Sequence, residues 1–405
     1  MTVPSRSVLD DPTLRAAAER LVSPIADPEV RAARLVWGVL SEPGEGSAGA
    51  LVAECGAAGA LRLVEDHLGG HPTPETGALS ARELADMVRR WRPRLEAPMI
   101  AEVARAAARA GLSLQAPEAA GWPDRLADLG PHAPLCLWVR GDPEALAGLG
   151  RSAALVGARA ATPYGEHVAG TLASELVEAG VAVVSGGAYG VDGAAHRATL
   201  GAGGLTVAFV AGGADRVYPA AHANLFQRIA ERGAVVSEVA PGGTPTRWRF
   251  LQRNRLIAAV SGATVVVEAG WRSGSLNTAG HAAALGRPLG AVPGPVTSST
   301  SEGSHRLLRE FDATCITRGA DVLELLGEWD AAGAAAGGPP AGEDRPHPDA
   351  MRVLDALGVR AWRTLDDIAR RSGLSLGEVQ AQLGLLALDG RVDSSSDGWR
   401  LARGG

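Results

Sequence analysis

Nine consecutive residues stand out for their chemistry. Arg247-Trp248-Arg249-Phe250-Leu251-Gln252-Arg253-Asn254-Arg255 holds four arginines and two aromatic rings, and no carboxylate occurs between Glu238 and Glu268 to neutralise them. The guanidinium group is a planar fork of donors that matches phosphate oxygens. Grooves for single-stranded nucleic acid combine such cations with aromatic faces on which bases stack. The same residues would also serve as a solvated turn leading into a helix over Leu256–Val260, in which Phe250 reads as core.

A second set of candidates lies in glycine-rich turns. These are Gly157-Ala158-Arg159 with Thr162, Tyr164 and Gly165; Ser185-Gly186-Gly187 with Gly190-Val191-Asp192; Gly212-Gly213; Ser237-Glu238; Glu268-Ala269-Gly270; and Pro293-Gly294-Pro295. Glycine lets backbone approach a ligand closely, and the free N–H groups of a helix start bind phosphate. Ser273-Gly274-Ser275 precedes a further helix, where Ser275 would serve as a cap, a phosphate donor or both. His196 follows Asp192 by four residues, a spacing that shares a helix face and predicts a structural hydrogen bond.

Each glycine turn follows a short apolar run: Ala153–Val156, Val181–Val184, Leu205–Val210, Ala234–Val236, Thr264–Val267, Pro288–Val292, and then Thr314–Ile316. Continuous apolar runs of this length read as strands buried on both faces, and the stretches between them have room for helices. The pattern predicts a Rossmann-like parallel sheet with helices on both faces. Ligands of such sheets bind beyond the carboxyl ends of the strands. The candidate phosphate-binding set is therefore Gly157, Arg159, Thr162, Gly186, Gly187, Arg247, Arg253, Asn254, Arg255, Ser273, Gly274 and Ser275.

The flanks read differently. Residues 1–115 are rich in Ala, Leu, Arg and Glu, with helical spacing over Leu79–Arg92 and Met99–Ala110, and predict a small helical domain of the SAM or helix–hairpin–helix kind. Its loop Ser41-Glu42-Pro43-Gly44-Glu45-Gly46 fits a plain interhelical connection better than a grip on a DNA backbone. Residues 116–326 form the predicted Rossmann-like domain and 327–348 a Gly/Pro-rich linker. Residues 349–405 predict a winged helix, with Thr364 as a helix cap, Ser375-Leu376-Gly377-Glu378 as a capping box, and strands at Arg391-Val392 and Trp399-Arg400-Leu401.

Composition removes several function classes. The net charge is -6, so any nucleic-acid site must be a local basic patch. All 39 Lys+Arg residues are arginine, which removes a P-loop lysine and Schiff-base chemistry. Cys55, Cys136 and Cys315 lack metal-ligand spacing, and no cofactor fingerprint is present. Neither a signal-type apolar run at the start nor an uncharged window of membrane length is evident, so the expectation is a cytoplasmic protein without membrane contact.

Taken in order, Val156-Gly157-Ala158-Arg159 with Thr162 and Tyr164-Gly165, Ser185-Gly186-Gly187-Ala188-Tyr189-Gly190-Val191-Asp192 with Ala195-His196, Tyr218-Pro219, Ser237-Glu238, Arg253-Asn254-Arg255, Val267-Glu268-Ala269, Ser273-Gly274-Ser275-Leu276 and Val292-Pro293-Gly294 resemble the DprA/Smf family of DNA-processing proteins. The resemblance implies a homodimer that binds single-stranded DNA and loads RecA recombinase onto incoming strands during natural transformation. By position it gives Arg159, Arg253 and Arg255 phosphate contacts and sets Arg247 where many members carry a basic residue. Ala220 departs from the lysine that many members place after the Tyr-Pro pair.

Three other readings compete. A Rossmann-like nucleotide phosphoribohydrolase would need a glutamate in the Gly274-Ser275-Leu276-Asn277-Thr278 turn, which has none. A nicotinamide dehydrogenase would need Gly-x-Gly-x-x-Gly at Gly157–Thr162. A transcription regulator would read DNA through Ser375–Asp389, which carries no arginine, and a protein-binding role suits that helix better.

Overall fold

The seven apolar runs become seven parallel strands in a computed structural model that describes residues 7–71, 76–327, 348–359, 361–388, 390–395 and 397–402. The stretch read as a linker lies, from 328 to 347, outside the described residues. The chain forms two compact units, Met1–Trp329 and Asp330–Gly405.

In the first unit, five helices come first: α1 Pro12–Leu21, α2 Pro28–Leu40, α3 Gly46–Gly69, α4 Ala81–Trp91 and α5 Ala97–Arg109. Their starts are written locally. Asp11 and Asp27 accept N–H bonds ahead of Pro12 and Pro28, and Ser80 with Glu83 forms a reciprocal cap. α3 alone among the described helices has the length and hydropathy to cross a membrane, but Leu51, Val52, Leu61 and Val64 lie in the core formed with the other helices.

The sheet then runs through β1 Leu112–Gln115, β2 Leu137–Gly141, β3 Ser152–Val156, α6 Pro163–Glu178, β4 Ala182–Ser185, α7 Val191–Gly201, β5 Thr206–Phe209, α8 Ala223–Arg232, β6 Ala234–Ser237, α9 Arg247–Val260, β7 Ala263–Val266, α10 Ser275–Ala284, β8 Leu289–Ala291, α11 Glu302–Glu310, β9 Thr314–Cys315 and α12 Gly319–Leu325. Its order is β1-β2-β6-β5-β4-β3-β7-β8-β9. The sheet is mixed, because β2 pairs antiparallel with both β1 and β6. The sequence reading contains neither β1 nor β2 and ends the helical region at 115, at the last residue of β1.

Alternation of side chains decides the layers. Ala153 and Leu155 of β3 face a core shared with α6, α7 and α12, while Ala154 and Val156 face a core shared with α9, α10 and α11. At the β1–β2 edge, Trp138 and Leu114 join the helical core to Phe226 and Ile229 of α8. The helical region and the sheet thus share a continuous core, a consequence of two strands that sequence periodicity left unread.

The second unit contains α13 Pro348–Ala356, α14 Leu365–Ser372, α15 Leu376–Leu388 and the hairpin β10 Val392–Ser395 with β11 Gly398–Leu401. Thr364 caps α14, and Ser375 with Glu378 forms the capping box of α15. This is a winged helix with its own core of Val353, Ile368, Val379, Leu383 and Leu386.

Candidate nucleic-acid interface

The carboxyl ends of β3 to β6 open onto a cleft of about 460 Å³, counted to its mouth. It is lined by Arg159 after β3, Gly186, Ala188 and Tyr189 after β4, Val210–Gly212, Tyr218 and Pro219 after β5, Pro245 after β6, and Phe250 and Arg253 of α9. Its location beyond the strand ends follows from parallel α/β topology.

Helix α9 brings the arginine cluster to the cleft and sorts it by face. Thr246 caps the helix by accepting the Arg249 N–H at 3.2 Å. Phe250 and Arg253, three residues apart, share the cleft face. Arg249, Gln252 and Arg255 form the adjacent face, against the loop between α2 and α3. There Arg249 pairs with Glu42 at 3.1 Å. Arg255 donates from Nη1 and Nη2 to the two carboxylate oxygens of Glu238 at 2.7 Å each and from Nε to the His132 carbonyl at 3.1 Å. Arg255 therefore stands apart from the cleft, its charge engaged by a buried carboxylate.

Arg253 is 7 % exposed, yet it reaches the cleft wall. Nη1 donates to the carbonyls of Gly186 at 2.7 Å and Phe209 at 2.8 Å, and Nε donates to Asn254 Oδ1 at 3.0 Å. Nη2 has no acceptor among the described residues. A side chain at Gly186 would displace Arg253, since a Cβ would stand 2.0 Å from its Nη1. Burial pulls the Arg253 guanidinium down to about 10, Asp192 pulls it back up, and Arg159 adds to the fall. It remains a cation at neutral pH. Beneath it, Asp192 Oδ2 accepts the N–H groups of Gly186 at 3.1 Å and Ala188 at 3.3 Å, and burial raises its carboxyl above the usual range against the pull of Arg253.

Arg159 is exposed, and its guanidinium carbon lies 4.7 Å from the centroid of the Phe250 ring. Arg253 lies 5.6 Å from the same centroid, and Tyr218 meets the ring at 6.0 Å and 65°. Phe250, read from sequence as core, is half-buried and forms a wall of the cleft. Trp248 is 56 % exposed on the first turn of α9, beside exposed Arg247. Neither Arg159 nor Arg247 forms an ion pair among the described residues.

Other candidates have structural engagements. Thr162 caps α6 and also binds Glu268, whose buried carboxylate accepts Thr162 N–H at 2.8 Å, Thr162 Oγ1 at 2.9 Å and Thr300 Oγ1 at 2.6 Å. Gly157 packs against Val191 and the Glu268 carbonyl, and Gly187 against the Phe226 ring. Ser273 and Ser275 share a 2.7 Å hydrogen bond at the start of α10, and Asn254 donates to the Gly274 carbonyl at 3.3 Å. Asn254 thus ties α9 to α10 and does not line the cleft. His196 is fully buried on Thr206 at 2.7 Å and makes no hydrogen bond to Asp192. Tyr218, Pro219, Pro245 and Arg216 line the cleft, though the residue-by-residue reading did not select them. The available signal was the resemblance motif Tyr218-Pro219.

Fold and site together define a Rossmann-like α/β protein with an arginine-lined cleft at the carboxyl edge of its sheet, followed in sequence by a winged helix. The chain belongs to the DprA/Smf family: residues 113–327 match the family of DNA recombination-mediator protein A, and residues 337–398 match the DprA winged helix domain. It is 50 % identical over 283 residues to a putative DNA processing protein DprA of Mycobacterium tuberculosis, covering 68 % of this chain and 70 % of that one. Protein Smf of Escherichia coli is 39 % identical over 194 residues, covering 48 % of this chain and 51 % of its own length. The crystal structure of DNA processing protein A from Streptococcus pneumoniae superposes with a TM-score of 0.56 at 27 % identity, over 73 % of this chain and 96 % of that one.

Proposed function

We propose that the chain binds single-stranded DNA in the cleft, as a carrier of the strand and without turning it over. One observation carries the reading: Arg159 and Arg253 approach the same Phe250 ring from within one cleft, so two phosphate donors and one stacking face line the same open space. Arg247, without an ion pair among the described residues, supplies a third cation on the first turn of α9, where the helix dipole also favours an anion. Neither Ser273–Ser275 nor Asn254 contacts the strand directly; they hold α10 and α9 in place.

Family membership supports the wider role: handing the strand to a RecA-type recombinase during DNA uptake, with a homodimer holding one strand at two clefts. The enzymatic alternative, a nucleotide phosphoribohydrolase, needs a carboxylate free to act at a ribosyl bond. Glu268 is fully engaged by Thr162 and Thr300, and Glu238 by Arg255.

Fluorescence anisotropy with labelled oligo-dT over a range of salt concentrations tests the reading. Wild type should bind in a salt-dependent way, and Arg159→Ala/Arg247→Ala should lose most of that affinity while melting normally. Absence of binding by folded wild-type protein at low salt would sink it.

A further inference from the structure

The end of α4 carries a second arginine cluster, Arg89-Arg90-Trp91-Arg92-Pro93-Arg94, with four arginines in six residues. Its members divide much as those of α9 do. Arg89 pairs with Asp86, and Arg94 pairs with Glu42 at 3.0 Å. Arg90 and Arg92 are exposed and form no ion pair among the described residues; Arg90 rests against the Met87 sulfur, a weak acceptor. The helix dipole accounts for cations in the last turn of α4, but Arg92 lies beyond that turn.

The location of this cluster gives it meaning. Glu42 accepts from Arg94 on one side and from Arg249 of α9 on the other, at 3.0 Å and 3.1 Å. The two arginine clusters therefore meet at a single carboxylate, with Arg247 two residues before Arg249 at the start of α9. The joint is held firmly. Trp91 is fully buried, packs edge-on against Trp37 with centroids 5.2 Å apart and donates to Glu45 at 3.2 Å. Gly44, in the same loop, donates to Glu238 at 3.1 Å. Its positive φ of 69° would strain any side chain there.

We propose that the helical region carries a second nucleic-acid contact: a single strand leaving the cleft passes Arg247 and continues onto Arg92 and Arg90. This rests on the cleft reading above. A flexible single strand can follow an irregular line of cations across a joint, and each neutralised phosphate releases counterions and adds to the salt dependence. Because the second contact is made by a strand already held, its effect grows with strand length.

The test compares oligo-dT of about six and about twenty nucleotides, one near the low end of and one beyond the roughly 4–16 nucleotides a single groove spans, by anisotropy across salt. Arg90→Ala/Arg92→Ala should bind the short strand like wild type and the long strand roughly tenfold more weakly. Its salt slope on the long strand should be shallower by about 1.4, two phosphates at about 0.7 each. Unchanged affinity and slope on the long strand would overturn the proposal, as would equal losses on both lengths, which would place these arginines at the cleft itself. Failure of wild type to bind either length would defeat the cleft reading and this inference with it. Should the double variant melt early, Arg92→Gln, beyond the helix end, carries the same comparison.

Discussion

The Arg159 guanidinium stacks on Phe250 at 4.7 Å although 91 residues separate them in sequence. The turn after β3 and the first turns of α9 meet only because β3 and β7 are neighbours and α9 crosses from β6 to reach β7. A cation–π contact at an exposed cation such as Arg159 contributes only about 0.5–1 kcal/mol, so the pairing positions more than it stabilises.

Phe250→Ala should therefore leave folding largely intact and weaken oligo-dT binding by about 1–3 kcal/mol, the value of one stacked base. That corresponds to roughly 5- to 150-fold in Kd. Phe250→Tyr should bind nearly as wild type. Equal affinity for Phe250→Ala and wild type would remove the ring from the site.

Gly186→Ala tests the buried cation. The new methyl would occupy the place of Arg253 Nη1, only 2.0 Å away, so the long side chain must withdraw from the Gly186 carbonyl. The expected result is a folded protein with binding reduced at least tenfold and a shallower salt slope. An unchanged slope would mean that Arg253 does not meet phosphate.

Arg255 should behave in the opposite way. It and Glu238 are a buried pair, with side chains 4 % and 10 % exposed. Removing one partner of such a pair strands a buried charge and costs about 3–5 kcal/mol. Arg255→Ala should lower the urea midpoint sharply, and Arg255→Met/Glu238→Leu should recover much of the loss. Arg255→Ala with unchanged stability and lost DNA binding would return Arg255 to the interface.

His196 should set the acid limb of stability. Thr206 Oγ1 donates to the Val183 carbonyl at 2.8 Å, so the imidazole must donate from Nδ1, and Nε2 has no partner among the described residues. Burial, reinforced by His222, Arg253 and Arg197, pushes the group down to about 3. The unfolded chain, near 6.5, then binds a proton that the folded chain refuses. This contribution is complete above about pH 6.5 and is lost as pH falls toward 3, at up to about 1.4 kcal/mol per pH unit. Urea titrations at stepped pH should show this slope, flattened in His196→Gln; an identical slope in the variant would assign the acid limb to other groups.

Much of this architecture is legible in the sequence. The seven parallel strands announce themselves because a strand buried on both faces needs a continuous apolar run, and their glycine-rich ends mark the binding edge. The capping residues Thr364 and Ser375 signal helix starts because a cap is a local interaction. Strands β1 and β2 escape notice. Leu112–Gln115 alternates over only four residues, and Leu137–Gly141 is defined as a strand by its partner β6 more than by its own pattern.

The sequence by itself determined the family, the seven parallel strands and the presence of an arginine-rich, acid-free segment opposite glycine turns. Only the tertiary structure decided which arginines are available. Arg249 and Arg255 meet Glu42 and Glu238, which lie 207 and 17 residues away, whereas Arg159, Arg247 and Arg253 form no ion pair among the described residues. Spacing along a helix tells which side chains share a face, but it carries no information about the distant chain that the face will meet. The charge left for a ligand is set by that encounter.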